Sequence, residues 1–344
     1  MDRDVRSTGN IFVSVIMTVY KDEVFLEEAI ESILNQSYGY FELIIIIEYG
    51  SDEKTKQIVN KYRISDSRIV VINNEVKLGF ASSLNRGLEL AKGKYIFRMD
   101  GDDISDPNRM MIQINFMENH PELILCGGDT EYIFQDEKKD GEVVNYPRTT
   151  QDIRNAVLFY VPFAHPTICF NRCMIDRNNI RYANDYRAED YELWSRLVFG
   201  FKTANIPRVL LKYRIHSNNS TSVFSDGVAE SENRLRANII RGFLSDFSNE
   251  CFNLNSLKND EDLRYVENIL LRLFSDYKEV FTSPRYLRRK MREIYLGIGK
   301  DIVKNPFQRY WNTFRRIEDK SIIRWFNNLL YFKYHEIKLM IGKK

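Results

Sequence analysis

The sequence predicts an α/β protein, a mostly parallel sheet with helices on both faces, followed by a helical C-terminal region. Three observations predict it. Aliphatic runs alternate with helix-period segments through the first hundred residues, the pattern of strands joined by crossover helices. The candidate strands are continuously apolar, which fits burial on both faces. From about residue 228 onward, helical periodicity replaces the alternation.

Ile11–Val19 is a β-branched run and predicts the first strand. Phe25, Leu26, Ala29, Ile30, Ile33 and Leu34 recur at helical spacing. Phe41–Ile47 predicts a second buried strand, and Ser51 a cap for a helix reaching about Tyr62. Arg68–Ile72 is the third strand, residues 80–91 a helix, and Tyr95–Met99 the fourth strand. Asp106-Pro107 reads as a helix start, with Asp as cap and Pro at the first position. Beyond it the pattern is α+β: a strand at Leu123–Gly128, a polar loop at 134–148, a helix at Ala188–Phe199 and a strand at Val209–Tyr213. The expected division is residues 1–222 and 223–344.

Composition narrows the class. The 344 residues include 44% hydrophobic and 28% charged residues, with 16 Gly and 8 Pro, which excludes disordered and collagen-like chains. The longest aliphatic stretch, Leu43–Ile47, is far short of the roughly 20 apolar residues of a membrane span. The first ten residues carry no apolar signal core, so a cytoplasmic location is expected. Cys126, Cys169, Cys173 and Cys251 show no metal-ligand spacing and are expected to be reduced thiols. Residues 1–222 carry a net charge of −5 and residues 223–344 one of +7, which argues for segments with different partners.

In open α/β sheets ligands sit beyond the carboxyl ends of the strands. That rule points to Thr18–Glu23, Glu48–Asp52 and Asp100–Asp106. The third place is the sharpest. Asp100, Asp102 and Asp103 put three carboxylates within four residues, which repel one another unless a cation or several donors neutralise them. Hard oxygen ligands suit Mg²⁺ or Mn²⁺ bridging protein and diphosphate.

With these residues in place, the sequence resembles the family 2 glycosyltransferases, which have the GT-A nucleotide-diphospho-sugar transferase fold, a Rossmann-like mixed sheet with flanking helices. The resemblance runs from about Val13 to about Thr221. It is carried by Val13–Tyr20, Ala29–Ser37, Phe41–Ile45, Gly50-Ser51, Asp100-Gly101-Asp102-Asp103, Pro107-Asn108-Arg109, His165-Pro166-Thr167, Glu189-Asp190-Tyr191-Glu192-Leu193-Trp194 and Tyr213-Arg214-Ile215-His216, in that order.

The resemblance implies roles by position. Thr18 and Tyr20 match positions lining a uridine pocket, and Glu48 an acidic position that bonds the uracil ring. Asp100 resembles the position holding the ribose or the metal shell, Asp102 the direct metal ligand, and Asp103 a group orienting the acceptor or the groups around the metal ligands. Asp190 matches the catalytic base. His216 matches a histidine near the diphosphate or metal, and Arg214 can pair with phosphate. His165, Glu189 and Trp194 fall near the acceptor or donor sugar. Two positions depart from the family: Glu48-Tyr49-Gly50-Ser51 stands where Asp-Asp-Gly-Ser is usual, and Thr18 replaces the commoner Pro.

The activity implied is an inverting, metal-dependent hexosyl transfer from a nucleotide-sugar, a UDP-sugar, with Mn²⁺ or Mg²⁺ as cofactor. The acceptor implied is a glycan or a polyprenyl-diphosphate-linked sugar in bacterial surface polysaccharide assembly. No Gln-x-x-Arg-Trp follows the base, which favours a non-processive enzyme. Residues 280–344 interleave Arg285, Arg288, Arg289, Lys290, Arg292, Arg315, Arg316 and Arg324 with Trp311, Phe314, Trp325, Phe326, Tyr331 and Phe332. That pattern suits an anionic membrane surface, here the inner face of the plasma membrane, rather than nucleic acid; a helical core or a homodimer interface is the other reading. A degenerate, non-catalytic domain serving as a scaffold or nucleotide-binding module is the alternative function. A nucleotidyltransferase would carry a Gly-rich basic loop after the first strand, and none is present.

Overall fold

The computed structural model describes residues 11–21, 24–134, 141–216, 225–247 and 260–281. The chain divides into two units, residues 1–242 with 246–252, and residues 243–245 with 253–344. The basic, aromatic segment from Arg285 to Phe332, Cys251, and the acidic pair Asp22 and Glu23 all lie outside the described residues.

Strands β1 (Val13–Val19), β2 (Phe41–Ile47), β3 (Ile69–Asn73) and β4 (Tyr95–Asp100) pair in parallel in the order β3-β2-β1-β4. Helices α1 (Leu26–Leu34), α2 (Glu53–Ser65) and α3 (Phe80–Leu90) connect them. Side chains alternate across a strand. Val13, Val15, Met17 and Val19 therefore share one face with Leu43, Ile45, Tyr95, Phe97 and Met99. Together they form one buried cluster with α1, α2 and α4 (Arg109–Asn119). Ile16 and Ile46 turn to the other face and meet α3 at Gly87. Arg98 and Asp100 belong by alternation to that second face.

The rest of the sheet is formed by β5 (Ile104–Ser105), β6 (Leu123–Phe134), β7 (Val143–Val144), β8 (Cys169–Asn171) and β9 (Lys202–Ile215). The full order is β3-β2-β1-β4-β8-β6-β9-β5, with β7 on β6. The sheet is thus mixed, as the resemblance implies, where the alternation of apolar runs alone points to a mostly parallel one. β8 follows a 3-10 turn at His165–Thr167 and runs antiparallel to both β4 and β6. β6 and β9 are far longer than their apolar cores suggest, because they pair in parallel along their length with register shifts at Gly128 and Asp129. The expected loop at 134–148 holds β7 in its described part, and α5 (Thr150–Ala156) and α6 (Arg172–Arg177) are short helices without a long apolar stripe. α7 (Glu189–Gly200) and α8 (Ser225–Phe243) follow the predicted pattern.

Local chemistry corrects two helix starts. Asp52, not Ser51, caps α2, accepting from the Thr55 N–H at 2.8 Å. Ser51 instead donates to the Glu48 carbonyl at 2.8 Å, closing a turn in which Gly50 has φ +81°; that conformation favours glycine. Asp106 accepts from the Asn108 N–H at 2.8 Å, one turn ahead of α4, which begins at Arg109. Gln36 follows the end of α1 and fastens it to the chain. Its amide donates to the Asp106 carbonyl at 2.7 Å and accepts from the Met110 N–H at 3.1 Å, stapling α1 to α4.

Gly93, in the turn before β4, permits the closest backbone approach in this region. A Cβ there would lie 2.4 Å from the Ser14 nitrogen and from Val13 backbone carbons. Gly93→Ala is expected to lower stability by roughly 1–3 kcal/mol, the range for overpacking, measured as a shift in the urea midpoint at unchanged slope.

The second unit contains α9 (Asp260–Asp276). Val266, Ile269, Leu270, Leu273 and Phe274 are buried along one stripe. Phe243 packs edge-on to Tyr277 and Phe281, each at 5.1 Å between centroids. No helix among the described residues is long and apolar enough to cross a membrane. Cys126 and Cys169 are buried free thiols, and Cys173 is an exposed one.

Candidate active site

The parallel register brings the carboxyl ends of three strands together. Thr18 of β1 lies opposite Ile46 of β2 and Asp100 of β4. The Glu48 N–H donates to the Val19 carbonyl at 3.0 Å. Thr18 is buried with its hydroxyl unpartnered among the described residues. Tyr20 is half exposed beside it, and its ring edge lies 3.9 Å from the Cβ position of Gly50. Thr18, Tyr20 and Glu48 are therefore gathered as the sequence suggested.

Asp100, Asp102 and Asp103 each offer an oxygen, and these three atoms lie within 4.8 Å of one another. Each carboxylate has its own partner. Asp100 is bonded by the Arg98 guanidinium. Asp102 Oδ2 is 2.9 Å from His216 Nε2. Asp103 Oδ1 accepts from the Arg214 N–H at 2.9 Å, while its Oδ2 is buried without a partner among the described residues. Burial and the neighbouring Asp100 and Asp102 charges push Asp103 well above the usual carboxylate range. Burial raises Asp100 as well, against the opposing pull of Arg98. Three oxygen ligands in reach of one point, one of them orphaned, fit a divalent cation of the Mg²⁺ or Mn²⁺ type.

β9 supplies the other side of this cluster. β5 and β9 pair antiparallel at Ile104–Lys212 and Ser105–Leu211, which carries Arg214 and His216 back over the acidic turn. Arg214 Nε donates to the Asp102 carbonyl at 2.8 Å, and the guanidinium also pairs with Glu28. Phe25 is packed by both residues, 4.3 Å from the Arg214 guanidinium carbon and 5.2 Å from the His216 ring.

Glu189 and Asp190 open α7, where the helix dipole favours negative charge. Burial dominates nonetheless. Asp190 is pushed up to about 6 although it accepts from the Tyr191 N–H at 2.7 Å. Glu189 is pushed up to about 8 by burial and by the Asp190 charge. Adjacent carboxyls with separated pKa values divide the tasks of base and neutral donor. His165 Nδ1 lies 3.9 Å from Glu189 Oε1, and its Nε2 lies 2.8 Å from the Tyr182 hydroxyl. Burial, then the Arg98 charge, drives His165 well below the usual histidine range, so the imidazole is neutral. Trp194 is fully buried against Phe163, Phe170 and His165. It supports the His165 ring from behind and has no face open to a sugar.

Arg98, which from the sequence either neutralises part of the acidic cluster that follows it or forms a surface salt bridge, reaches further than either reading. It is only 4% exposed and lies over the Phe80 ring at 5.5 Å. Its charge acts on Asp100, Asp103, Glu189, Asp190 and His165 alike. It links the acidic cluster to the start of α7. An arginine inside the apolar run Ile96-Phe97-Arg98-Met99 was the available signal, since a buried charge requires a partner. Arg109, also buried, braces the same strand by donating to the Arg98 carbonyl at 2.8 Å.

The chain is similar to known proteins in sequence and in fold. The family model described as Glycosyl transferase family 2 matches residues 14–179. An uncharacterized glycosyltransferase of Haemophilus influenzae is 30% identical over 297 residues, covering 84% of this chain and 87% of that protein. The Escherichia coli protein named UDP-Glc:alpha-D-GlcNAc-diphosphoundecaprenol beta-1,3-glucosyltransferase WfaP is 31% identical over 221 residues, covering 64% of this chain and 84% of its own. Among solved structures, the mannosyltransferase PcManGT of Pyrobaculum calidifontis, in complex with GDP-Man and Mn²⁺, has a TM-score of 0.51 at 14% identity. It matches 91% of this chain and 89% of its own. That structural likeness shows the GT-A type of fold. With the sequence relatives and the family model in agreement, the chain belongs to glycosyl transferase family 2 and is a glycosyltransferase.

Proposed function

We propose that the chain is an inverting, metal-dependent, non-processive hexosyltransferase. Its donor is a nucleotide-sugar, a UDP-sugar, and its acceptor a glycan or polyprenyl-diphosphate-linked sugar of a surface polysaccharide. The observation that carries the proposal is that the Asp100–Asp102–Asp103 cluster and the buried Glu189-Asp190 pair lie within reach of one charge, that of the buried Arg98. The name of the WfaP relative supports the UDP-sugar donor and the lipid-linked acceptor, and the complex of PcManGT supports a divalent cation.

In this reading Thr18 and Tyr20 line the nucleoside site. Asp102, with Asp100 and His216, would hold the cation, and Arg214 would pair with a phosphate. When bound, the cation supplies charge neutralisation of the departing diphosphate. Asp190 accepts the proton of the acceptor hydroxyl as its oxygen attacks the anomeric carbon. One in-line displacement inverts that carbon. Glu189, neutral at pH 7, donates a hydrogen bond towards a sugar oxygen, with His165 orienting it. Asp103 holds the β9 end through Arg214 and faces the acceptor side. The basic segment from Arg285 onward would bring the enzyme to an anionic membrane surface.

The test is thermal unfolding with UDP, with and without Mn²⁺. Binding at about 100 times Kd adds roughly 2.7 kcal/mol to stability. A clear rise in Tm is expected only when both are present. A rise with UDP alone would detach nucleotide binding from the acidic cluster.

A further inference from the structure

The position that the resemblance gives to base reading is already engaged by the protein itself. Glu48 Oε1 accepts from the Tyr49 N–H at 2.8 Å, from the Leu78 N–H at 3.3 Å and from Asn74 Nδ2 at 3.4 Å. Glu48 Oε2 accepts from the Ser83 hydroxyl at 2.8 Å. Three donors converge on Oε1 and one reaches Oε2, so both oxygens of this carboxylate are engaged by the protein's own groups, from three segments. The network closes behind it. Asn74 Nδ2 donates to Ser83 Oγ at 2.7 Å, and Asn74 Oδ1 accepts from Arg86 Nη1 at 2.6 Å. Asn74 and Ser83 are buried. Burial works to raise the Glu48 pKa, yet its four donors outweigh it and hold the carboxyl below its usual value.

We infer that Glu48 is a positioning residue, whose carboxylate ties the 74–83 segment to the end of β2, and that the nucleobase is read by other groups. The segment it holds contains Val76 and Leu78, both exposed, and Gly79, which turns the chain into α3 with φ +83°. Beside it lies a cavity of about 360 Å³ lined by Glu48, Tyr49, Gly50, Lys56, Asn73 and Asn74, among others. Glu48 lines this cavity together with Asn74, whose amide it accepts, while its bonds to Ser83 and the Leu78 N–H hold the segment that follows. Aspartate, one methylene shorter, does not span the same donors. The departure from Asp at this position thus has a structural account: the longer acid fastens a loop. The inference about base reading rests on the nucleotide-sugar proposal, whereas the loop anchoring does not.

Two measurements on the full chain test it, using Glu48→Gln and Ser83→Ala. Hydrogen exchange of the 75–80 amides is expected to speed up about tenfold or more in Glu48→Gln, because the local opening cost falls when a charged acceptor is lost. Ser83→Ala should show a smaller increase in the same amides. Binding of UDP, GDP and CDP with Mn²⁺ is expected to weaken in parallel in Glu48→Gln, the ratios among the three staying within about threefold of wild type. Unchanged exchange at 75–80 in Glu48→Gln would overturn the anchoring. A collapse of the ratios in Glu48→Gln, not shared by Ser83→Ala, would overturn it too, by returning base reading to Glu48. If the wild type binds none of the three diphosphates, the nucleotide proposal fails, and the exchange result still decides the anchoring.

Discussion

Asp190→Asn is expected to lower turnover by about 10²–10⁴-fold, the usual contribution of a positioned general base, while nucleotide binding stays within about twofold. The amide keeps the shape and the hydrogen bond from the Tyr191 N–H, which Asp190 accepts through Oδ1, so the site should remain assembled. The variant therefore separates proton acceptance from binding. The pH profile carries the same signature. A base must be ionised to act, and Asp190 is pushed up to about 6 by burial. The wild-type rate should rise as pH increases through about 6 and fall again as Glu189 ionises near 8. Glu189 provides the internal control. It is pushed up to about 8 and is mostly neutral at pH 7, so Glu189→Gln replaces one neutral donor by another and should cost far less than Asp190→Asn. Steady-state release of nucleoside diphosphate measures all three. Equal losses in the two variants would contradict the division of roles, and near-normal turnover in Asp190→Asn would place the base elsewhere.

Asp102→Ala has the second large expected effect. Mn²⁺-dependent binding of UDP should weaken by at least about tenfold, as expected when a metal-ligating carboxylate is removed. Asp102 is chosen because its partner, His216, is itself a candidate ligand, whereas Asp100 is bonded to Arg98 and Asp103 is buried against the Arg214 N–H. The unliganded protein should tell the opposite story. Three carboxylates within 4.8 Å repel one another, so removing one should leave Tm unchanged or raise it, the usual exchange of stability for function. A variant that loses stability and retains metal-dependent binding would reverse the account of this cluster. Titration calorimetry with and without Mn²⁺, paired with a thermal scan, distinguishes the cases.

Much of the site was legible in the sequence because one rule applied cleanly. Continuous apolar runs such as Phe41–Ile47 mark strands buried on both faces, and polar residues just beyond them fall at the carboxyl edge of a parallel sheet. That logic brings Thr18, Glu48 and Asp100 to one edge, where the register places them. It gives nothing about where a side chain finds its partners. Glu48 reads as a group facing a ligand, and its bonds to Asn74, Leu78 and Ser83 come from 26 to 35 residues away. Trp194 falls by resemblance near the acceptor or donor sugar, whereas its side chain is turned inward to Phe163 and Phe170. The second half of the sheet was illegible for a related reason. β8 has three residues, too few for periodicity, and its direction is set by the 3-10 turn before it. Arg98 stands between these cases: its place ahead of the acidic cluster made it readable as a charge that neutralises part of it, as its bond to Asp100 does, whereas its reach to Glu189, Asp190 and His165 was not readable.

The central claim, that this glycosyltransferase works through a metal-dependent nucleotide-sugar site and the base Asp190, is tested most directly by one assay. Wild type and Asp190→Asn are incubated with Mn²⁺, a lipid extract as acceptor source and each common nucleotide-sugar in turn, and the released nucleoside diphosphate is measured. Release from a single UDP-sugar by the wild type, dependent on Mn²⁺ and reduced about 10²-fold or more in Asp190→Asn, is the predicted result. Equal release by both proteins, or release that persists after chelation of the metal, would contradict the claim.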